Sequence, residues 1–330
     1  MGELVTVSAW ETRRVLVTGA SGIIGSSLTR RLVREGAHVI AFVLDAGSTR
    51  EAVVSDLADS VTVVNGRLEV IGDLERAVVV YEADSVVHLG AQTLVGAALS
   101  APLLTMESNI RGTYNLLEVC RRHADRVRRI VIASSDKAYG DLQLPPYSEN
   151  MPLAGRHPYD VSKACADLVA QGYASTYDLP VAIARCGNVY GGGDLNWSRI
   201  VPGTIRSLLR GERPSLRSDG TPTRDYIYVD DVVDGYLLLC ERSEHPEVRG
   251  RPFNFGTGHP YSAAEIVDRL LRLVGRTDLD PVRFATARSE IQSQYLDATR
   301  AALVLGWRPS IDLETGLART VEWYRAYLAR

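Results

Sequence analysis

Short runs of β-branched and apolar residues alternate with longer amphipathic stretches through the first half of this chain. The runs are "RRVLVTG" from Arg13, "HVIAFVL" from His38, "VTVV" from Val61, "SVVHLG" from Ser85, "RIVIAS" from Arg129 and "VAIARCG" from Val181. Each has the length of a strand, and apolar residues at helical spacing separate them, most clearly from Ile23 to Glu35 and around Asn109 to His123. This alternation predicts parallel strands joined by right-handed crossovers: an α/β fold with a doubly wound, Rossmann-type sheet covered on both faces. After Arg185 the rhythm breaks. Gly and Pro clusters at "YGGGD", "GERPSLRSDGTP" and "FGTGHPYS" separate isolated helices and predict a smaller α/β lobe. The expected division is a sheet domain over 1–185 and a lobe mainly over 186–330, with some segments returning to the sheet. A ligand would lie between the lobe and the carboxyl ends of the strands.

"VLVTGASGIIG" puts Gly19, Gly22 and Gly25 between the first strand and its helix. The first glycine permits a tight turn, the second a close approach of backbone to a pyrophosphate, and the third the packing of helix on strand, with helix amides facing the anion. The turn therefore predicts a dinucleotide site. The acid expected on the adenosine ribose is Asp45, about 20 residues past the last glycine. Counted from Gly36, the usual place falls nearer Val43, so Asp45 reads equally as a loop carboxylate in solvent. Arg50 is the candidate for a 2′-phosphate, but no basic residue directly follows the strand, and NAD is favoured over NADP.

"HPYDVSKACADL" holds Tyr159 and Lys163 four apart, on one side of a helix. Upstream, "IVIASSDKAYG" ends an apolar strand on Ser134, Ser135, Asp136 and Lys137. An acid and a base at the end of a core strand suit proton transfer; the alternative is a surface ion pair worth about 0–1 kcal/mol.

The G-x-x-G-x-x-G spacing, the Tyr-x-x-x-Lys pair and "NIRGTYNLLEVCR" from Asn109 together resemble the extended short-chain dehydrogenase/reductase superfamily. "HLGAQTLVGAALSAP", "SSDKAYG", "HPYDVSKACAD" and "RCGNVYGGGDLNWSRIVP" extend the resemblance over most of the chain, to the sugar-nucleotide 4,6-dehydratases and among them those acting on CDP-glucose. The resemblance implies that Tyr159 exchanges the proton of a carbinol, that Lys163 binds the nicotinamide ribose and lowers the phenol pKa, and that Ser135 orients the carbinol. It implies that Asp136 protonates a departing hydroxyl at sugar carbon 6 and that Lys137 removes the carbon 5 proton, a task of glutamate in the dTDP-glucose enzymes. The resemblance also implies that Ile23, Ile24, Leu68, Leu89, Gly90, Ala91, Asn109 and Ser134 join the glycines, Asp45, Tyr159 and Lys163 around NAD. Gln92, Ser135, Asn188, Arg199, Arg224 and Arg288 are implied substrate contacts, the arginines suiting a diphosphate. The CDP-glucose enzymes carry an "RPWQHV"-like stretch where this chain reads "TRDYIYV", and Arg67 stands where related enzymes often have an aspartate near the adenine. A homodimer through the long helices near Asn109 and Lys163 is implied as well.

Composition narrows the classes. With 37 basic and 40 acidic residues the net charge is -3, so no global field draws nucleic acid or a membrane surface. No apolar run reaches the roughly 18 residues of a membrane span, and "MGELVTVSAWETRR" has neither a basic nor an apolar signal region, so the cytoplasm is expected. Met1-Gly2 with Thr6, and "NWS" at Asn196, match myristoylation and glycosylation patterns short enough to arise by chance. Cys120, Cys165, Cys186 and Cys240 are widely spaced and read as buried, reduced and inert, with no metal site. The competing functions are a sugar-nucleotide 4-epimerase or decarboxylase, for which "SSDK" has no use, and a dinucleotide sensor, for which Tyr159 and Lys163 have none.

Overall fold

The computed structural model describes residues 8–44, 57, 60–142, 145–284 and 291–329. Asp45, Arg50 and Arg288 lie outside the described residues, as do Met1, Gly2 and Thr6. The strands read from the first half are β1 (Arg14–Thr18), β2 (His38–Val43), β3 (Val61–Asn65), β4 (Ser85–His88), β5 (Arg129–Ala133) and β6 (Val181–Cys186). Those that follow are β7 (Asn188–Tyr190), β8 (Ser215–Leu216), β9 (Thr223–Tyr228), β10 (Pro252–Phe255), β11 (Pro260–Ser262), β12 (Val282–Arg283) and β13 (Ser293–Gln294). The α-helices are α1 (Ile23–Arg34), α2 (Ile71–Val79), α3 (Val95–Ser100), α4 (Pro102–Met106), α5 (Gly112–Arg122), α6 (Pro158–Tyr177), α7 (Ile200–Leu209), α8 (Val229–Arg242), α9 (Ala263–Val274) and α10 (Leu313–Leu328).

A seven-stranded parallel sheet in the order β10-β6-β5-β4-β1-β2-β3 forms the platform. Because successive side chains of a strand point to opposite faces, β1 feeds two cores. Val15 and Val17 pack with Leu28 and Leu32 of α1 and Val232 and Val233 of α8. Leu16 points the other way, among Leu74 of α2, Leu116 of α5 and Ala170 of α6. Truncating Leu16 to alanine would cost about 2–5 kcal/mol, through the apolar burial lost and the cavity left behind. The chain order reverses between β1 and β4, and that switch point opens the cleft at the carboxyl ends of the strands.

The second half is richer in strands than its sequence rhythm. β10 returns to the main sheet beside β6, while β7, β9, β11 and β13 build a separate sheet centred on β9. Asp225 of β9 ties this lobe together: its buried carboxylate accepts from Thr257 N at 2.8 Å, Thr257 Oγ1 at 2.6 Å, Gly258 N at 3.1 Å and Leu296 N at 3.2 Å. Around Asn109 the helix is not uniform, because a π-helical turn spans Glu107–Arg111 before α5 begins. Such turns re-aim side chains, and here the turn aims Asn109 inward. Cys165 keeps partial exposure, unlike Cys120, Cys186 and Cys240, because it lies beside the buried stripe of α6 rather than on it. No helix among the described residues is long and apolar enough to cross a membrane.

Candidate active site

The glycine turn is shaped by close approach. Gly19 has φ of +68°, and a Cβ there would come within 2.8 Å of Gly90 at the end of β4. A Cβ on Gly25 would sit 2.1 Å from the carbonyl oxygen of Gly19, so only glycine lets α1 begin where it does. Gly22 caps α1 with no side-chain bond and no acid occupies the first turn, leaving the helix amides for an anion.

Behind this turn, His88 of β4 fixes the chain through a directed relay. The Thr18 hydroxyl accepts from Leu89 N at 3.1 Å and Gly90 N at 3.0 Å, so its own proton goes to His88 Nδ1, 2.8 Å away. Nε2 then carries the ring proton to Thr113 Oγ1 at 3.2 Å, and that hydroxyl donates to Asn109 O at 2.6 Å. Burial, with the charge of Lys163 adding, pushes the His88 pKa down to about 3. Asn109 clamps the next segment: its Oδ1 accepts from Gln92 N at 2.7 Å, and its Nδ2 donates to Gln92 O at 3.0 Å and to Ser162 Oγ at 2.8 Å.

The polar end of β5 turns inward rather than out to solvent. Ser135 caps the 3-10 turn Asp136–Tyr139, its Oγ accepting from Lys137 N at 3.2 Å and donating to Asp136 Oδ1 at 3.0 Å. Asp136 is 2% exposed, and its Oδ2 has no hydrogen-bond partner. Lys137 Nζ stands 3.8 Å from that oxygen, near enough to pair in charge and too far to bond. The pair is therefore not a surface ion pair.

On α6, Tyr159 and Lys163 face the same space. The Tyr159 phenol is pushed up to about 12 by burial, and its largest offset is the charge of Arg199, followed by a hydrogen bond to Ser135. Lys163, expected to lower the phenol, is outweighed in that task by Arg199. Its own ammonium donates to Ala133 O at 2.9 Å, and burial lowers its pKa to about 8.

One cavity of about 500 Å³ joins these groups. Gly19, Gly22, Ile23, Ile24, Gly25 and Leu89 line one part; Ser134, Ser135, Asp136, Lys137, Tyr159 and Lys163 line the centre; Asn188 and Arg199 line the far wall. Arg199 bridges two other lining residues, donating to Asp194 Oδ2 at 3.0 Å and to Thr93 Oγ1 at 3.3 Å. Leu68, Gly90, Ala91, Gln92, Asn109 and Arg224 lie outside this lining. Leu68 packs against Gly90 and Gly112, and Arg224 donates to the carbonyls of Thr223 and Ile291, each at 2.7 Å. Among the described residues, no group of His, Cys, Asp and Glu is placed to hold a metal ion.

Five residues around the site escape sequence reasoning. Gln294 bonds both Asp136 and Lys137 from the other lobe, with no charge or motif to mark it. Arg185 and Asp167 pair beneath the Asp136 turn, and the guanidinium within an apolar strand run was the available signal. Tyr236 and Cys186 line the cavity as apolar-looking helix and strand residues.

Residues 15–256 match the family described as the NAD dependent epimerase/dehydratase family. A dTDP-glucose 4,6-dehydratase of Mycolicibacterium smegmatis is 34% identical over 325 residues, which cover 95% of this chain and 93% of that protein. A UDP-glucose 4-epimerase of the same organism is 33% identical, covering 94% and 98%. A CDP-glucose 4,6-dehydratase of Salmonella typhimurium is 29% identical, covering 98% and 94%. The dTDP-glucose 4,6-dehydratase of Streptomyces venezuelae, solved with NAD bound, superposes with a TM-score of 0.88 at 29% identity, over 96% of this chain and 98% of that one.

Proposed function

The chain belongs to the NAD dependent epimerase/dehydratase family, and from that premise we propose that it converts a nucleoside-diphosphate hexose to the 4-keto-6-deoxy sugar with loss of water. The observation that carries this reading is the unpartnered, buried Oδ2 of Asp136 with Lys137 Nζ 3.8 Å away, in one cavity with Tyr159. An epimerase moves a hydrogen on and off carbon 4 alone. It has no task for a second acid and base.

The residues fit NAD. Gly19 and Gly25 have no room for a Cβ and Gly22 little, the first-turn amides of α1 lack a cap, and Ser134 Oγ lines the cavity buried and without a partner. Gly19, Gly22 and Gly25 would hold the pyrophosphate and Lys163 the ribose. When bound, NAD supplies the oxidant for carbon 4 and the reductant that completes the product.

Ser135 and Tyr159 take the carbon 4 hydroxyl, Ser135 orienting it and Tyr159 accepting its proton. The ketone that results acidifies the neighbouring C5–H bond. Lys137, as the free amine, removes that proton, and Asp136 gives its own to the carbon 6 hydroxyl, which leaves as water. A C5–C6 double bond remains for the final reduction. Asn188 and Arg199, which both line the cavity, suit the diphosphate, and Arg224 and Arg288 are proposed as further cations for it. The Asp136-Lys137 order favours CDP-glucose, and the higher identity to dTDP-glucose enzymes favours dTDP-glucose.

Incubation with CDP-, dTDP-, UDP- and GDP-hexoses in deuterated water tests both levels. A product lighter by one water, with deuterium at carbon 5, is expected from CDP- or dTDP-glucose. A 4-epimer without water loss would move the assignment to epimerase.

A further inference from the structure

We propose that Gln294 is a positioning residue of the elimination half-reaction, holding Asp136 and Lys137 together from the opposite lobe; the proposal rests on the dehydratase reading. Gln294 is fully buried on β13, opposite Arg224 of β9 in the parallel pairing. Its Nε2 donates to the main-chain carbonyl of Asp136 at 2.9 Å, and its Oε1 accepts from Lys137 Nζ. The partners fix which way the amide faces. A carbonyl only accepts and an ammonium only donates, so the nitrogen must meet Asp136 and the oxygen Lys137.

The amide is the side chain that does both tasks without adding charge. Carboxylates already face Lys137 from two elements: Asp136 on its own turn, and Asp160 on α6, whose carboxyl feels the lysine charge. The charges of Asp136 and Arg224 both reach the Tyr147 phenol beside the turn, and Tyr159 shares its cavity. A further carboxylate at 294 would bind the protonated lysine more tightly, whereas a base must release its proton. The neutral Oε1 orients the amine and leaves its lone pair for carbon 5. The bond to Asp136 O meanwhile pins the turn that aims Oδ2.

The test uses the full-length protein and two independent readouts. Acylation of Lys137 by acetic anhydride, followed by peptide mass spectrometry across pH, reports the Lys137 contact without substrate turnover. Lys137 should label several-fold faster in Gln294→Leu than in wild type, and Gln294→Glu should move the labelling midpoint up by about one pH unit. Water loss should fall at least about tenfold in both variants with KM little changed, while substrate-driven reduction of bound NAD stays within about twofold. Gln294→Glu should regain activity towards high pH, and Gln294→Leu should not. Equal labelling of wild type and Gln294→Leu overturns the contact. Water loss and NAD reduction falling together in both variants would mean a structural role only. If labelling responds but wild type forms no 4-keto-6-deoxy sugar, the dehydratase reading fails, and the elimination role fails with it.

Discussion

Arg185 and Asp167 form a bidentate pair, Nε to Oδ2 at 2.8 Å and Nη2 to Oδ1 at 2.9 Å, with both side chains sealed from solvent. Arg185 Nη1 also donates to the Tyr139 hydroxyl at 3.0 Å, and the guanidinium lies 4.9 Å above that ring. Tyr139 closes the turn that Asp136 opens, so the pair is the floor of the candidate site. Asp167→Asn leaves a buried guanidinium uncompensated and should destabilise the fold by about 3–5 kcal/mol. Replacing both residues with leucine should recover part of that loss. Urea unfolding measures both; an Asp167→Asn midpoint equal to wild type would rule out the pair as a support.

What the sequence revealed follows from how far each signal reaches along the chain. Gly19, Gly22 and Gly25 are legible because one turn needs all three, and Tyr159 and Lys163 because one helical turn joins them. The seven-stranded sheet is legible in its first six strands, whose apolar runs are long enough to show a period. Strands such as β8 and β13, two residues each, carry no period at all. Gln294 stands 158 residues from Asp136 in sequence, and an uncharged amide gives no hint of what it will face. Arg199 was legible as a cation but not as the charge acting on Tyr159, since only the folded chain brings the two together.

Tyr159→Phe removes the proposed proton acceptor of the first step and should lower substrate-driven reduction of bound NAD by at least about 100-fold. Arg199 offsets part of the burial that raises the phenol, so Arg199→Met should raise it further. In the proposed mechanism the phenolate form is the active base, and the rising limb of the pH–rate profile should therefore move to higher pH in Arg199→Met. Stopped-flow absorbance of the reduced cofactor reads both effects. An unchanged limb would dismiss Arg199 as the offsetting charge.

His88 should set part of the acid sensitivity of the fold. Its pKa falls from 6.5 to about 3 on folding, chiefly through burial. Between those values the unfolded chain binds a proton that the folded chain refuses, so stability present above pH 6.5 is lost as pH falls towards 3. From pH 7 to pH 5 wild type should lose about 2 kcal/mol relative to His88→Gln, which cannot titrate. Unfolding free energies at the two pH values give the difference directly, and parallel curves for the two proteins would contradict it.

Asp136 and Lys137 should be separable from Tyr159 in time. In the proposed reaction, oxidation at carbon 4 precedes elimination, because only the ketone makes the carbon 5 proton acidic enough for an amine to take. Lys137→Ala and Asp136→Asn should therefore still reduce bound NAD when substrate is added. Lys137→Ala should stop deuterium entering carbon 5 from deuterated water, since no other amine stands beside Asp136 in the turn. Asp136→Asn keeps the hydrogen bond from Ser135 but cannot donate an acidic proton, and water loss should slow by about 100-fold or more. Stalled after oxidation, both variants should accumulate the reduced cofactor that wild type is expected to form only transiently. Mass spectrometry for water loss and absorbance for the cofactor, taken on one sample, separate the two steps. A double variant that dehydrates at the wild-type rate would mean that the inward turn of β5 is a packing feature and that the acid and base lie elsewhere.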